Sequence, residues 1–381
     1  MLTANNQFTE RIGKVSESST TRIFTLANQM RQAGRRIISL SVGEPNFDTP
    51  DPIIRATCRA LTDQVTRYGP VPGDPRLRER LAEAFSGYGP ENIIITNGAK
   101  QALFALFQIL CNDADEVIIP RPCWVSFTEQ IKLAGGRPVL VDTIDGQIDP
   151  AAIDAAVGPR TRAILINSPN NPTGAVYHRD ALTRVARIAA DHHLYLIADE
   201  AYHAFTYDGR PHESLHHLTA DPQRVITVRS FSKQYNMTGY RIGYVAADQS
   251  VVLALTRLQS HLCGNVCSFA QRGALAALEM DQQIVTQRRT ILEQRRDMAL
   301  AFTRALFECT RPGGAFYLFP DVCNHLKKNE TSADLCMRLL EDAGVAVVPG
   351  EAFHMPGHIR ISFGASEEDL QQGFEKIKEA L

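Results

Sequence analysis

At 381 residues the chain is long enough for two or three domain-sized units, or for one large domain with a smaller companion. Hydrophobic residues supply 44% and charged residues 22%, a globular balance that excludes wholesale disorder. Forty Lys and Arg against 42 Asp and Glu leave a formal net charge of −2, so no basic surplus points to a nucleic-acid groove or an anionic membrane.

The first 15 residues lack the apolar stretch of a secretory signal, and no apolar run approaches the roughly 20 residues needed to cross a bilayer. Eight cysteines without a C-x-x-C pair are too sparse for a disulfide scaffold, and a reduced, cytoplasmic chain is expected.

In chain order, 21–33 reads as a helix and 37–42 as an extended apolar run. Seven short β-branched runs follow, at 93–96, 117–119, 139–141, 163–167, 194–198, 225–228 and 242–246. Most are apolar throughout, the pattern of strands buried on both faces. Between them, 99–110 gathers Ala102, Leu103, Leu106, Phe107 and Leu110 on one helical face, and 180–191 gathers Leu182, Val185, Ala186 and Ala189. Strands alternating with amphipathic helices predict an α/β layer around a largely parallel sheet. Past residue 283 a long polar helix carrying Arg288, Arg289, Arg295 and Arg296 leads into strand-like runs at 313–318, 345–348 and 358–363. The reading is a large domain at 46–283 and a smaller α+β domain assembled from 1–45 and 284–381.

Polar and aromatic residues follow successive strands: Asn97-Gly98-Ala99-Lys100, then Pro120 to Trp124, then Asn167 to Gly174, then Asp199-Glu200-Ala201-Tyr202, then Ser230-Phe231-Ser232-Lys233. In a parallel sheet these segments leave along one edge, where open α/β sheets bind ligands. Five such segments on one rim are hard to assign to packing. Taken singly, each residue has a plainer reading. Lys233 could be a surface lysine, Asp199 a helix cap, Asn171 a turn residue before Pro172, and Trp124 a core or surface aromatic. Tyr68 could be a loop tyrosine, Arg360 a salt-bridge partner and Lys100 a solvated lysine at a helix start. The chemistry favours more. A lone carboxylate at the end of a buried strand is costly without a cation. A helix opening at Gly98 presents unpaired N–H groups to an anion. The planar fork of Arg360 suits a carboxylate.

The order and spacing of Asn170-Asn171-Pro172-Thr173-Gly174, Asp199-Glu200-Ala201-Tyr202, Ser230-Phe231-Ser232-Lys233 and Gly239-Tyr240-Arg241-Ile242-Gly243 resemble the fold-type-I family of pyridoxal-phosphate-dependent class I/II aminotransferases. The resemblance runs over nearly the whole chain, from Ser41-Val42-Gly43-Glu44-Pro45 to Arg360-Ile361-Ser362-Phe363, and is strongest to the bacterial aspartate aminotransferase subgroup. It implies an α/β fold with a mostly parallel seven-stranded sheet and a smaller α+β domain. It also implies pyridoxal 5′-phosphate as cofactor, no metal, and a homodimer with a shared active site. The implied reaction is ping-pong transfer of an amino group from an L-amino acid, L-aspartate first, to a 2-oxo acid, 2-oxoglutarate first.

By that resemblance Lys233 is the catalytic lysine that condenses with the cofactor aldehyde and then moves a proton between substrate and cofactor carbons. Asp199 holds the protonated pyridine nitrogen. Gly98, Ala99, Lys100, Ser230, Ser232 and Arg241 form the phosphate side, Trp124 stacks on the ring, and Tyr202 and Asn171 face its phenolic oxygen. Tyr68 matches a tyrosine that reaches the phosphate in the neighbouring subunit. Arg360, with Gly43 and Asn171, grips the substrate α-carboxylate, and Lys100 contacts a side-chain carboxylate.

Two features depart from the subgroup. Arg22 stands where a small residue is usual and is a candidate either for binding a second carboxylate or for narrowing the pocket. The stretch 261–267 replaces a Ser/Thr-rich loop, with Cys263 and Cys267 read as small buried side chains. The pairs His192-His193 and His216-His217 lack a metal-ligand pattern and are expected at the surface. Two other functions remain compatible with parts of the pattern. One is elimination, replacement or cyclisation by the same cofactor. The other is a ligand-sensing module of a transcription regulator, which the short segment before the large domain disfavours.

Overall fold

The computed structural model describes residues 9–15, 19–219 and 221–381. A short strand, Ile38–Ser39 (β1), precedes the helices Asp51–Thr62 and Pro75–Ala82. The seven central runs become Ile93–Thr96 (β2), Glu116–Arg121 (β3), Arg137–Asp142 (β4), Thr161–Asn167 (β5), Tyr195–Asp199 (β6), Val225–Ser230 (β7) and Gly243–Ala246 (β8). They form one sheet in the order β2-β8-β7-β6-β5-β3-β4. β8 pairs antiparallel with both β2 and β7, and the remaining pairs are parallel. The other six strands therefore run in one direction, and their C-terminal ends share an edge.

Helices cover both faces, which is why these strands lack polar alternation. Leu103, Leu106 and Phe107 of the helix Gly98–Leu110 pack with Ile119, Leu165 and Ile197. Leu182, Val185 and Ala189 of the helix Arg179–Asp191 pack with Ile118, Ile164 and Leu196. Consecutive strand residues thus go to opposite faces, the period of two expected of a pleated chain. The helices Asp51–Thr62 and Ser268–Glu279 bury Ile53, Ala270 and Ala274 against Ile93, Ile95 and Ala246 at the β2 end.

After the long helix Gln283–Arg304 come Tyr317–Leu318 (β9), Val345–Ala346 (β10), Val348–Pro349 (β11) and Ile359–Ser362 (β12). β11, β12 and β9 make an antiparallel sheet, while β10 pairs in parallel with β1. The single run expected at 345–348 is therefore two strands in different sheets, since apolar pattern says nothing about which neighbour each backbone bonds. The run at 37–42 likewise forms a strand only at Ile38–Ser39. Beyond it, Leu40 donates to Ala346 and accepts from Ser362, bridging the two small sheets.

The core around these strands joins Ile23, Ile38 and Leu40 to Phe316, Leu339, Ile361 and Phe374, so the two ends of the chain share one apolar cluster. Tyr202, Phe205 and Tyr207 from the segment after β6 enter the same cluster. Tyr207 N–H bonds Gly313 O and Ala315 N–H bonds Phe205 O, tying that segment to the approach to β9.

Candidate active site

Two adjacent carboxylates leave β6 in different electrostatic states. Glu200 is buried against Arg229, whose Nη2 lies 2.8 Å from Oε2, and this cation holds the Glu200 carboxyl far below its usual range despite burial. Asp199 is equally buried but forms no ion pair among the described residues. Burial pushes its carboxyl up to about 7; a bond from Ala201 N–H at 3.1 Å opposes the rise, and Glu200 adds to it. Asn167, its register neighbour at the end of β5, donates to Asp199 O at 3.1 Å and accepts the Asn171 N–H at 2.9 Å. The loop after β5 is thereby fixed to the end of β6.

At the β2–β8 side, the helix Gly98–Leu110 begins without a side-chain cap from Asn97. Its first N–H groups remain available to an anion. Gly98 has φ +77°, and a Cβ there would lie 2.5 Å from Arg241 Nη2, so glycine lets the guanidinium lie against the helix start. Arg241 donates to Thr238 O at 2.8 Å. Ser230, at the end of β7, accepts the Ser232 N–H on its Oγ at 3.1 Å. Lys100 Nζ lies 5.0 Å over the Trp124 ring, and burial followed by Arg241 lowers its pKa.

Lys233 sits on the helical turn Phe231–Gln234 that directly continues β7. Its amine is lowered to about 8, chiefly by burial; Arg241, Arg360 and Lys100 lower it too, while Glu44 acts the other way. Opposite stands Arg360 on β12, 5% exposed. It donates to Asn171 Oδ1 at 2.9 Å and Ser41 O at 2.7 Å, lies against the rings of Tyr317 and Phe353, and leaves Nε without a partner. No acidic side chain among the described residues pairs with it.

These groups converge on a cavity of about 630 Å³. Among the expected residues, Gly43, Ala99, Lys100, Trp124, Asn171 and Asp199 line it, together with Tyr202, Ser230, Ser232, Lys233, Arg241 and Arg360. Gly98 lies behind Arg241, outside the lining. Tyr68 is 99% exposed and does not reach the cavity of its own chain. Arg22 lies on the helix Ser19–Gln32, and its side chain is outside the described residues. Sequence reasoning missed Ser41, Val42, Ala201 and Tyr317 as lining residues, and named Asn167 only as the start of a rim segment, without a role. Asn167 was recoverable as the polar end of an apolar strand. Tyr317 carried no such signal, because it sits in an aromatic run that reads as core.

Two expectations are corrected. His216 is buried, its Nε2 3.1 Å from Ser86 O and its ring packed on Phe85 and Tyr88, because aromatic neighbours shield an imidazole that keeps one polar contact. Cys263 is exposed and Cys267 only half-buried, because the helix Gln249–Leu262 ends just before them in a turn at Gly264. Among the described residues no group of three or more His, Cys, Asp or Glu is placed to hold a metal ion.

The cavity therefore offers an amine of lowered pKa, a buried carboxyl and a buried guanidinium that have no ion-pair partner among the described residues, and a cationic helix start. The family model described as aminotransferase class I and II matches residues 35–377. An aspartate aminotransferase of Geobacillus stearothermophilus is 37% identical, with 97% of each chain covered. A probable aspartate/prephenate aminotransferase of Aquifex aeolicus is 39% identical over 97% of this chain and 98% of its own. Among solved structures, the aspartate aminotransferase from Thermus thermophilus with maleate superposes with a TM-score of 0.94 at 38% identity, covering 99% of this chain and all of that one.

Proposed function

The chain belongs to the class I and II aminotransferases and is a pyridoxal-phosphate-dependent transaminase; on that premise we propose that L-aspartate is its amino donor and 2-oxoglutarate its acceptor, taken in turn at the cavity around Lys233. One observation carries the site reading. Asp199 and Arg360 are buried titratable and cationic groups without ion pairs among the described residues, and both line the same cavity as the lowered Lys233 amine. A cofactor with a ring nitrogen that can hold a proton satisfies the first, and a substrate carboxylate satisfies the second.

When bound, pyridoxal phosphate supplies an electrophilic aldehyde and an electron-withdrawing ring. The chain's own groups do the rest. Asp199 holds the ring nitrogen in its protonated form. The N–H groups at Gly98 and Ala99, with Lys100, Ser230, Ser232 and Arg241, hold the phosphate, and Trp124 sets the plane of the ring. Tyr202 and Asn171 donate toward the ring oxygen. Arg360, with Gly43 and Asn171, binds the α-carboxylate and so orients the α-hydrogen toward Lys233, whose amine takes up and returns that proton. Lys100 takes the side-chain carboxylate, with Arg22 as a further candidate.

The part of the chain formed by 1–45 and 284–381 is proposed as the smaller domain, bringing Arg360 over the cavity and excluding water. A homodimer is proposed, with Tyr68 reaching the partner's cavity. A cytoplasmic setting is proposed on the free cysteines.

The test is a half-reaction. Cofactor-loaded protein mixed with L-aspartate alone should lose its visible absorbance and release one equivalent of oxaloacetate, and 2-oxoglutarate should restore the absorbance. Lys233→Ala should abolish both changes. A donor panel in which aspartate ranks below alanine or phenylalanine overturns the substrate assignment, and release of ammonia or pyruvate would mark elimination instead.

A further inference from the structure

Tyr317 lies on β9 with Ser362 of β12 as its register partner, two residues from Arg360. It is fully buried yet lines the cavity. Its hydroxyl is 2.9 Å from that of Tyr202, and its ring faces the Arg360 guanidinium at 4.5 Å. A Cβ on Gly43 would come within 3.0 Å of the Tyr317 oxygen, so a larger residue there would crowd this hydroxyl.

Two hydroxyls in contact share one proton along their axis and leave the other free to turn elsewhere. At 2.9 Å either hydroxyl can donate to the other. Tyr202 faces Tyr317, Arg360 and Asp199, whereas Tyr317 faces Arg360, Tyr202 and Glu44. Lys233, Arg241 and Lys100 complete the charged groups around the cavity. Burial raises both phenols. The bond between them raises Tyr202 further and offsets the rise at Tyr317, which also has Arg360 over its ring. A Tyr202 proton given to the cofactor ring oxygen is not available to Tyr317, so on that reading Tyr317 is the donor of the bond between them.

We propose that Tyr317 is a positioning residue whose donated hydrogen bond aims the Tyr202 O–H at the ring oxygen of the bound cofactor. The proposal rests on the reading of Tyr202 given above. It makes Tyr317 the link between the strand that carries Arg360 and the tyrosine that faces the cofactor.

The test compares wild type, Y317F, Y202F and the double variant, each loaded with pyridoxal phosphate and free of substrate, by the pH midpoint of the visible absorbance change. A hydroxyl donating to the ring oxygen draws charge from it and lowers that midpoint. Y202F should raise it by about one unit, Y317F by a smaller amount near half a unit, and the double variant no more than Y202F alone. Phenylalanine keeps a ring beneath Arg360, so the dissociation constant of succinate, an unreactive dicarboxylate, should stay within about twofold in Y317F. Tyr317→Leu removes hydroxyl and ring together and should both raise the midpoint and weaken succinate. An unmoved midpoint in Y317F overturns the proposal, as does an equal rise from Y317F in the Y202F background. An unmoved midpoint in Y202F overturns the reading of Tyr202 and the proposal with it.

Discussion

Arg360 donates to Asn171 Oδ1 across 2.9 Å, joining β12 to the loop that follows β5. The bond occupies one corner of a guanidinium that has no acidic partner among the described residues, so the group is oriented but not neutralised. Arg360→Ala should lower kcat/KM for amino acid donors roughly thirtyfold or more, the order of 2–5 kcal/mol lost when a buried carboxylate loses its charged partner. Arg360→Lys should recover only part, because it keeps the charge and loses the fork. Steady-state kinetics with aspartate decides this, and an unchanged KM in both variants assigns the α-carboxylate to another group.

Lys233 gives a pH signature in the cofactor-free protein. Its folded pKa is about 8 against an ordinary 10.5. Between those values the unfolded chain carries a proton that the folded chain has released, so unfolding free energy should rise with pH across that window. Below pH 8 the buried ammonium is a constant penalty. Lys233→Met should therefore be more stable than wild type near neutrality and show a flatter rise between pH 8 and 10.5. Urea unfolding of the two cofactor-free proteins measures the difference, and superimposable pH slopes would show that the amine titrates as if in water.

Gly243 is a packing device beneath the start of the helix Gly98–Leu110. It pairs with Ser230 and Thr96, and a Cβ on it would meet Ala99 N at 2.7 Å and Arg229 O at 2.9 Å. Both neighbours are backbone and cannot swing away. Gly243→Ala should push the start of the helix Gly98–Leu110 off β8, costing about 1–3 kcal/mol of stability and loosening cofactor phosphate more than substrate. A dissociation constant for pyridoxal phosphate raised at least tenfold, with a modest loss in melting temperature, is the expected result. Unchanged cofactor affinity would mean that the helix start has slack.

Much of this arrangement is legible in the amino-acid sequence. The seven sheet strands stand out because burial on both faces removes polar residues, and the residues after Thr96, Asn167, Asp199 and Ser230 are polar just where a parallel sheet opens. What stays hidden depends on contacts between distant segments. Val345 and Val348 look like one strand and serve two sheets. His216 looks like a surface histidine and lies under Phe85 and Tyr88. Tyr317 looks like core and touches the cavity, because only the pairing of β9 with β12 brings it to Arg360. Local periodicity carries no record of such meetings.

Lys100 and Arg241 set two cations near one end of the cavity, and that mutual repulsion contributes to the lowered pKa of Lys100. If Lys100 serves a side-chain carboxylate, Lys100→Ala should reduce kcat/KM for aspartate about tenfold more than for alanine or phenylalanine. Donor-by-donor half-reaction rates resolve it. Equal losses across the three donors would leave Lys100 a phosphate role alone.

Tyr68 is the most telling exposed residue. Its ring is almost wholly exposed, yet the surrounding segment is pinned: Gln259 Nε2 donates to Val71 O and Ile95 O, Gln271 accepts the Asp74 N–H, and Ser268 Oγ donates to Arg67 O. A mobile surface loop needs no such anchoring, and an ordered tyrosine projecting from it suits a surface supplied by a second copy. In a two-fold dimer, a Tyr68→Ala chain paired with a Lys233→Ala chain regains one complete site, built from Lys233 of the first and Tyr68 of the second. Mixing the two impaired variants after mild dissociation should therefore restore activity toward about a quarter of the wild-type sites, the fraction given by random pairing. Activity no greater than the sum of the separate variants, in a mixture shown by mass to contain mixed dimers, would return Tyr68 to a role within its own chain.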